Sequence, residues 1–298
     1  MNQHAIPRCM PPDFMPRKPD ITFPAAAIDC HAHVCGPEKL YDCIAERIYT
    51  PCDALVTDYE HLLDVLGIAR AVLVQPSFYG ADNAAMLAAM RAARRPMRAV
   101  AVVKDDVGER ALQDLHDAGV RGVRFNVVDV AHGKGELPMD RIRNIARRIA
   151  PFGWHIEFLM HVDECPELDR MLGDLPVDVV FGHLGYVRTD KGVGDPGFQA
   201  LLRLLKGGRA WVKLTAPYRI STAPPPHADT TAFAHALLAA APARLVWGTD
   251  WPHVKASWSI PMPKDADIAD LLMTWVPDAA LRRQVLVDNA ASLYDFGA

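Results

Sequence analysis

Short apolar runs, often rich in β-branched residues, recur along the chain with amphipathic stretches between them. Period-2 or wholly apolar runs predict strands at Ala26–Cys30, Ala71–Gln75, Ala99–Val103, Gly122–Asn126, His155–Leu159, Val177–Phe181, Ala210–Leu214 and Arg244–Gly248. The intervening segments place apolar residues on one helical face, as in Tyr59–Leu66, Ala84–Ala93, Glu109–Ala118 and Met139–Ile149. Strand then helix, repeated about eight times, predicts a parallel sheet with crossover helices. Eight repeats close more readily into a (β/α)8 TIM-type barrel than into an open doubly wound sheet, and no Gly-x-Gly-x-x-Gly follows the first strand. The expected architecture is therefore an α/β chain forming one barrel domain over residues 1–298, with residues 1–23 as an N-terminal extension. Two longer excursions, Val34–Thr57 and Pro217–Asp229, would lie over the C-terminal mouth and shape a pocket there.

Composition narrows the class. Half the residues are hydrophobic and 23% charged, which fits an ordered globular chain. The formal charge of −4 and the scatter of Lys and Arg argue against a nucleic-acid partner. No window has the length of a membrane span, and Met1–Asp20 has no continuous apolar core of the signal-peptide kind, so a cytoplasmic location is expected. The six cysteines form no Cys-x-x-Cys pair and read as free thiols. The outer helices offer apolar positions that suit internal packing or a partner copy equally, which leaves the oligomeric state open.

A barrel gathers the residues that follow each strand around one cavity. After the first strand comes Asp29-Cys30-His31-Ala32-His33, after the second Gln75-Pro76-Ser77, after the fourth Arg124-Phe125-Asn126. The sixth gives Gly182-His183-Leu184-Gly185, the seventh Lys213-Leu214-Thr215 with Arg219 beyond, and the eighth Gly248-Thr249-Asp250-Trp251-Pro252-His253. Residues two apart in a strand share a face, so His31 and His33 should both point into the mouth, with Cys30 and Ala32 turned outward. Two imidazoles so placed bind a metal ion or polarise a carbonyl oxygen. His183 alone reads as a capping or hydrogen-bonded histidine, and Asp250 alone as a helix N-cap. All four falling on one mouth favours chemistry, with Asp250 as general base for water and the histidines stabilising an oxyanion. No Gly-x-Ser-x-Gly elbow is present, so Ser77 reads as a substrate hydrogen-bond donor and not as a nucleophile.

These residues carry a family resemblance. The segments Ala27–Pro37, Gly80–Asn83, Arg121–Asn126, Gly182–Gly185 and Val246–His253 resemble amidohydrolases of the 2-pyrone-4,6-dicarboxylate lactonase group over nearly the whole chain. The resemblance implies a barrel that hydrolyses lactones carrying acidic groups, with His31, His33 and His183 around the carbonyl and Asp250 activating water. It also implies substrate contacts from Tyr49, Ser77, Arg124, Arg219 and His253. An arginine can grip a carboxylate through two parallel hydrogen bonds, which suits an anionic small-molecule lactone. Val130, Leu159 and Tyr186 depart from the pattern, standing where the pyrone enzyme has polar or cationic side chains. A muconolactone, a sulfonated relative or a sugar-acid lactone then fits as well as the pyrone.

The resemblance leaves the cofactor open between none and one divalent cation, zinc or manganese, held by His31, His33, His183 and Asp250, with Glu157 and His161 as further candidate ligands. Related barrels imply two rival activities, a metal-dependent decarboxylase of an aromatic or muconate-like acid and a sugar-acid lactone isomerase.

Overall fold

The computed structural model describes residues 6–129, 137–256 and 260–297; Val130, one of the substituted positions noted above, lies outside them. Eight parallel strands form one sheet in sequential order: β1 (Ile28–Ala32), β2 (Arg70–Val74), β3 (Met97–Ala101), β4 (Val120–Asn126), β5 (His155–Leu159), β6 (Val179–Phe181), β7 (Ala210–Leu214) and β8 (Leu245–Trp247). The sheet comes back on itself where His33 N donates to Trp251 O (2.7 Å) and Asp250 N to His31 O (2.8 Å), so the barrel is nearly closed. Helices α1 (Val56–Leu66), α2 (Ala84–Ala92), α3 (Glu109–Asp117), α4 (Met139–Ile149), α5 (Leu168–Leu172), α6 (Pro196–Lys206), α7 (Thr231–Ala240) and α8 (Asp265–Trp275) follow the strands in turn. Two short helices, α9 (Ala279–Arg283) and α10 (Asn289–Tyr294), close the chain.

The expected barrel is thus the observed one, and β5, β7 and α4 fall on the expected residues. β1 begins two residues late because Ala27 N is turned back onto Pro24 O (2.9 Å). It then runs on to Ala32, which pairs with Leu73. Helices and sheet pack face to face through one large apolar cluster containing Leu63, Ile145, Leu201, Leu237 and Leu272. A second cluster draws alternate residues from six strands, Ile28, Cys30, Val72, Val74, Val100, Val180, Trp211 and Val246, and fills the barrel itself, with Tyr294 of α10 against it.

Membership of that inner cluster corrects one expectation. Cys30 points into the barrel, not outward, although Ala32 does belong to the outer cluster. The pairing of β1 with β2 slips between Asp29 and Ala32, and such a bulge breaks the period-2 alternation. Cys30 and His31 can then both face inward while Asp29 turns out towards α1 and the β8 end.

The long segment after β1 is tied down by a Cys35–Ala54 bridge, and residues near the start of the described chain pair with it through Cys9 N to Thr50 O (2.8 Å). Arg17 reaches Asp267 and Asp270 of α8 at 2.8 and 2.7 Å. All six cysteines are free. Among the described residues no helix is long and apolar enough to cross a membrane.

Candidate active site

The bulge in β1 is held by Asp29. Its Oδ1 accepts from the backbone of His31 (3.1 Å) and Thr249 (3.0 Å), and its Oδ2 from Tyr59 (2.9 Å) and the Thr249 hydroxyl (2.6 Å). Burial pushes this carboxyl up to about 6 against the pull of those four donors. Gly248 makes the join between β8 and β1 possible: a Cβ there would lie 2.6 Å from the His31 backbone nitrogen. His31, His33 and Asp250 are thereby fixed relative to one another through backbone contacts before any side chain is considered.

Asp250 is fully buried and sits at φ 65°, a left-handed conformation that non-glycine residues adopt at a cost. His183 (φ 52°), Ala216 (φ 48°) and His253 (φ 59°) share that conformation, each just beyond a strand at the same end of the barrel. Strain of this kind is held by surrounding structure and gathers at functional sites. Oδ2 of Asp250 is fully engaged, accepting from Tyr218 Oη (2.5 Å) and Arg219 Nε (2.8 Å). Oδ1 has no hydrogen-bond partner among the described residues, and neither has His31 Nε2, which stands 3.4 Å from it; His33 Nε2 is 3.7 Å away. A buried acceptor and a buried ring nitrogen facing one another, both unspent, mark the spot where a reacting molecule or an ion would complete the hydrogen bonding.

Burial would raise the Asp250 carboxyl, but the Arg219 charge, then His183 and His33, then the Tyr218 hydrogen bond overcome it and hold the group well below the usual carboxylate range. Burial lowers all three histidines: His183 to about 3, His33 to about 4, and His31 well below its ordinary value, where the Lys213 charge adds to the effect. The cluster at neutral pH is one carboxylate among neutral imidazoles. His33 Nδ1 lies 2.7 Å from Val74 O, which only accepts, so the proton is on Nδ1 and Nε2 presents a lone pair. His183 Nδ1 is held by the Thr215 hydroxyl at 2.8 Å. One ligand atom from each of His31, His33 and Asp250 falls within 4.8 Å of the others, donor types and a spacing that a divalent ion could bridge if each offered a lone pair; His183 is outside that group.

The substrate-contact candidates divide. Ser77 donates to the hydroxyl of buried Tyr49 (3.1 Å), and Arg124 donates to Gln75 O (2.9 Å) while its buried Nε has no partner among the described residues. Arg219 is committed to Asp250 and to Val254 O. His253 is buried one layer behind, its Nδ1 3.0 Å from Tyr218 Oη and its Nε2 3.1 Å from Asp265 Oδ1. Glu157 and Lys213, both buried, form an ion pair at 2.6 Å beneath His31. His161 is not part of the His31, His33 and Asp250 group; its ring is tilted against Tyr186 with centroids 4.3 Å apart, and its Nδ1 lies 2.9 Å from the Tyr186 carbonyl.

Sequence reading missed Tyr218 and Asp265, whose roles exist only through packing between distant segments. It named Lys213 without a role, although a lysine at an inward position of the apolar strand Ala210–Leu214 is a usable signal. On the outer side of Tyr218 and Arg219, the residues that hold Asp250, a cavity of about 610 Å³ opens, lined also by His161, Tyr186, Arg188 and Lys255. Lys255 bridges to Asp129 across the mouth.

The chain belongs to the amidohydrolase family, whose profile matches residues 28–296. Among characterised relatives it is 38% identical to a 2-pyrone-4,6-dicarboxylate hydrolase of Comamonas testosteroni, covering 94% of this chain and 93% of that protein. It is 34% identical to a 4-sulfomuconolactone hydrolase of Rhizobium radiobacter, covering 98% of each. Among solved structures, a Pseudomonas putida protein assigned as a 2-pyrone-4,6-dicarboxylic acid hydrolase superposes with a TM-score of 0.81 at 33% identity, covering 93% of this chain and all of that one.

Proposed function

We propose that this protein hydrolyses a carboxylate-bearing lactone, of the 2-pyrone-4,6-dicarboxylate, muconolactone, sulfomuconolactone or sugar-acid lactone type. The observation that carries the reading is the unspent pair of Asp250 Oδ1 and His31 Nε2, buried and 3.4 Å apart at the barrel mouth. Relatives named as lactone hydrolases support the substrate class.

In this reading water enters between Asp250 and the lactone carbonyl. Its oxygen attacks the carbonyl carbon as Asp250 Oδ1 takes its proton, and the negative charge that grows on the carbonyl oxygen is met by imidazole N–H groups. Collapse of the tetrahedral intermediate breaks the ring C–O bond, and the proton passes to the departing oxygen. Because Arg219 and Tyr218 occupy Oδ2, a single carboxylate oxygen is offered to water, and its orientation is fixed. Tyr218 is held in turn by His253, and His253 by Asp265, so His253 acts as a positioning residue in this scheme.

His33 Nε2, an acceptor, would orient the water rather than polarise the carbonyl, which leaves polarisation to His31 and His183. Arg124, with an unspent N–H, is the substrate-carboxylate anchor, while Ser77 and Tyr49 line the same side. Held by His31, His33 and Asp250, a zinc or manganese ion would supply Lewis-acid polarisation of the same carbonyl.

A panel of lactones with and without ring carboxylates, followed by base consumption, tests the proposal in chelator and again with added zinc or manganese. The expected result is turnover of acidic lactones above their neutral esters. Failure of every acidic lactone under both conditions, or release of CO2 in place of ring opening, would overturn it.

A further inference from the structure

Directly beneath the reacting groups lies a charged pair that a hydrolytic scheme does not call for. Lys213 on β7 and Glu157 on β5 are both buried inside the barrel, where an unpaired charge would be costly. Lys213 Nζ donates to Cys30 O (2.7 Å), stands 2.6 Å from Glu157 Oε2 in an approach outside hydrogen-bond angles, and is 3.1 Å from His31 Nδ1. The Cys30 carbonyl that Lys213 uses lies within the irregular stretch of β1 between Asp29 and Ala32.

An ammonium group carries three hydrogens and has no lone pair. Its two hydrogen-bonded neighbours, Cys30 O and His31 Nδ1, therefore both act as acceptors, and a neutral imidazole that accepts at Nδ1 carries its proton on Nε2. We infer that Lys213 fixes His31 in the Nε2–H tautomer and so keeps the His31, His33 and Asp250 group in a hydrogen-bonding form instead of an ion-ligating one. His33 has the opposite tautomer, with its proton on Nδ1 against Val74 O. The His-x-His pair thus presents one donor and one acceptor to the cavity, a polarity its sequence spacing does not specify.

A cation at this site needs a lone pair on His31 Nε2, and the displaced proton would have to move to Nδ1. There it would face the hydrogen that Lys213 already directs at that atom. The alternative acceptor, Glu157 Oε1, is 3.5 Å away on a carboxylate already paired with Lys213. Lys213 is accordingly a positioning residue that sets the affinity of the site for metal, and this holds whatever the substrate proves to be.

Two measurements on chelator-treated full-length protein test the inference without a substrate. Long-range 1H–15N NMR of 15N-histidine-labelled protein reads the His31 tautomer, with its signal assigned by its loss in His31→Asn. Competition against a chromophoric chelator reads zinc affinity. Wild-type His31 should be protonated at Nε2, and Glu157→Gln, which keeps the Lys213 donor, should leave that tautomer unchanged. The double variant Lys213→Met with Glu157→Gln removes both charges but keeps an acceptor for an Nδ1 proton. Its His31 should switch to Nδ1–H, and zinc should bind about 10-fold or more tightly than to wild type. An Nδ1–H tautomer in wild type, or unchanged zinc affinity in the folded double variant, would overturn the inference. If the double variant does not fold, the wild-type tautomer decides alone.

Discussion

The lower and upper halves of this barrel's interior are filled differently. Towards the end closed by α10, Ile28, Val72, Val100, Val180 and Val246 pack around Tyr294 and Trp211. Higher up, the strands carry Lys213, Glu157, Arg124 and His31, with His33, Asp250 and His183 just beyond the strand ends, all buried. Strand β7 shows the change along one column: Trp211 near the floor, Lys213 in the middle, and Thr215 at the mouth holding His183. The floor gains stability by removing apolar area from water. The mouth gives up that gain in exchange for charges that are paired on one side and unspent on the other, which is how a site is pre-organised for a reacting molecule. Left-handed non-glycine residues gather at the upper end, with Asp250, His183, Ala216 and His253 there, although Asp295 after α10 also adopts that conformation.

Substitutions at the two levels should separate activity from stability. Asp250→Asn at the mouth is expected to lower lactone turnover about 10²- to 10⁴-fold, the usual worth of a positioned general base. It also leaves the Arg219 charge without its carboxylate, so circular dichroism should show a folded but less stable protein. Full activity in that variant would remove Asp250 from the mechanism.

The next effect is on stability against pH. His33 and His183 are depressed in the folded protein to about 4 and about 3, below the ordinary 6.5. The unfolded chain therefore binds more protons than the folded one once the pH drops below about 6.5. Their contribution is complete above that value and should be lost as pH falls towards 4, at about 1.4 kcal/mol per pH unit for each histidine. Urea unfolding across pH 4 to 8 checks this, and His183→Asn should reduce the slope by one proton's worth. An unchanged slope in that variant would mean that His183 is not buried in its neutral form.

Smaller still, Arg124→Met should raise KM for a carboxylate-bearing lactone about 10-fold, in the range of a lost charged hydrogen bond, with little change for the neutral ester. Equal effects on both substrates would argue that Arg124 supports the fold instead of gripping a carboxylate. At the floor, Ile28→Val should cost about 1 kcal/mol of stability and leave kcat unchanged. A change in kcat from that methylene would show that the two levels are mechanically coupled.

The repeating β/α pattern was readable because parallel strands buried on both faces are apolar throughout and the helices between them are not. His31, His33, His183 and Asp250 could be picked out because each follows such a strand, where polarity is out of place. The inward turn of Cys30 was not readable, since the bulge that causes it depends on Asp29 finding partners on α1 and beyond β8. Tyr218, His253 and Asp265 form a chain only after three separate segments pack, and no local spacing announces it. Arg219 looked like a carboxylate clamp for substrate; in the fold its carboxylate is Asp250.

Attack of water on a lactone carbonyl is tested most directly by isotope transfer. Turnover of a carboxylate-bearing lactone in 18O-labelled water, read by mass spectrometry of the opened product, should place one 18O in the newly formed carboxylate. Product with no label in that carboxylate would contradict the hydrolytic account: no label anywhere would mean that the ring oxygen was exchanged within the molecule, as in an isomerase, and label in the hydroxyl would mean that water broke a different bond.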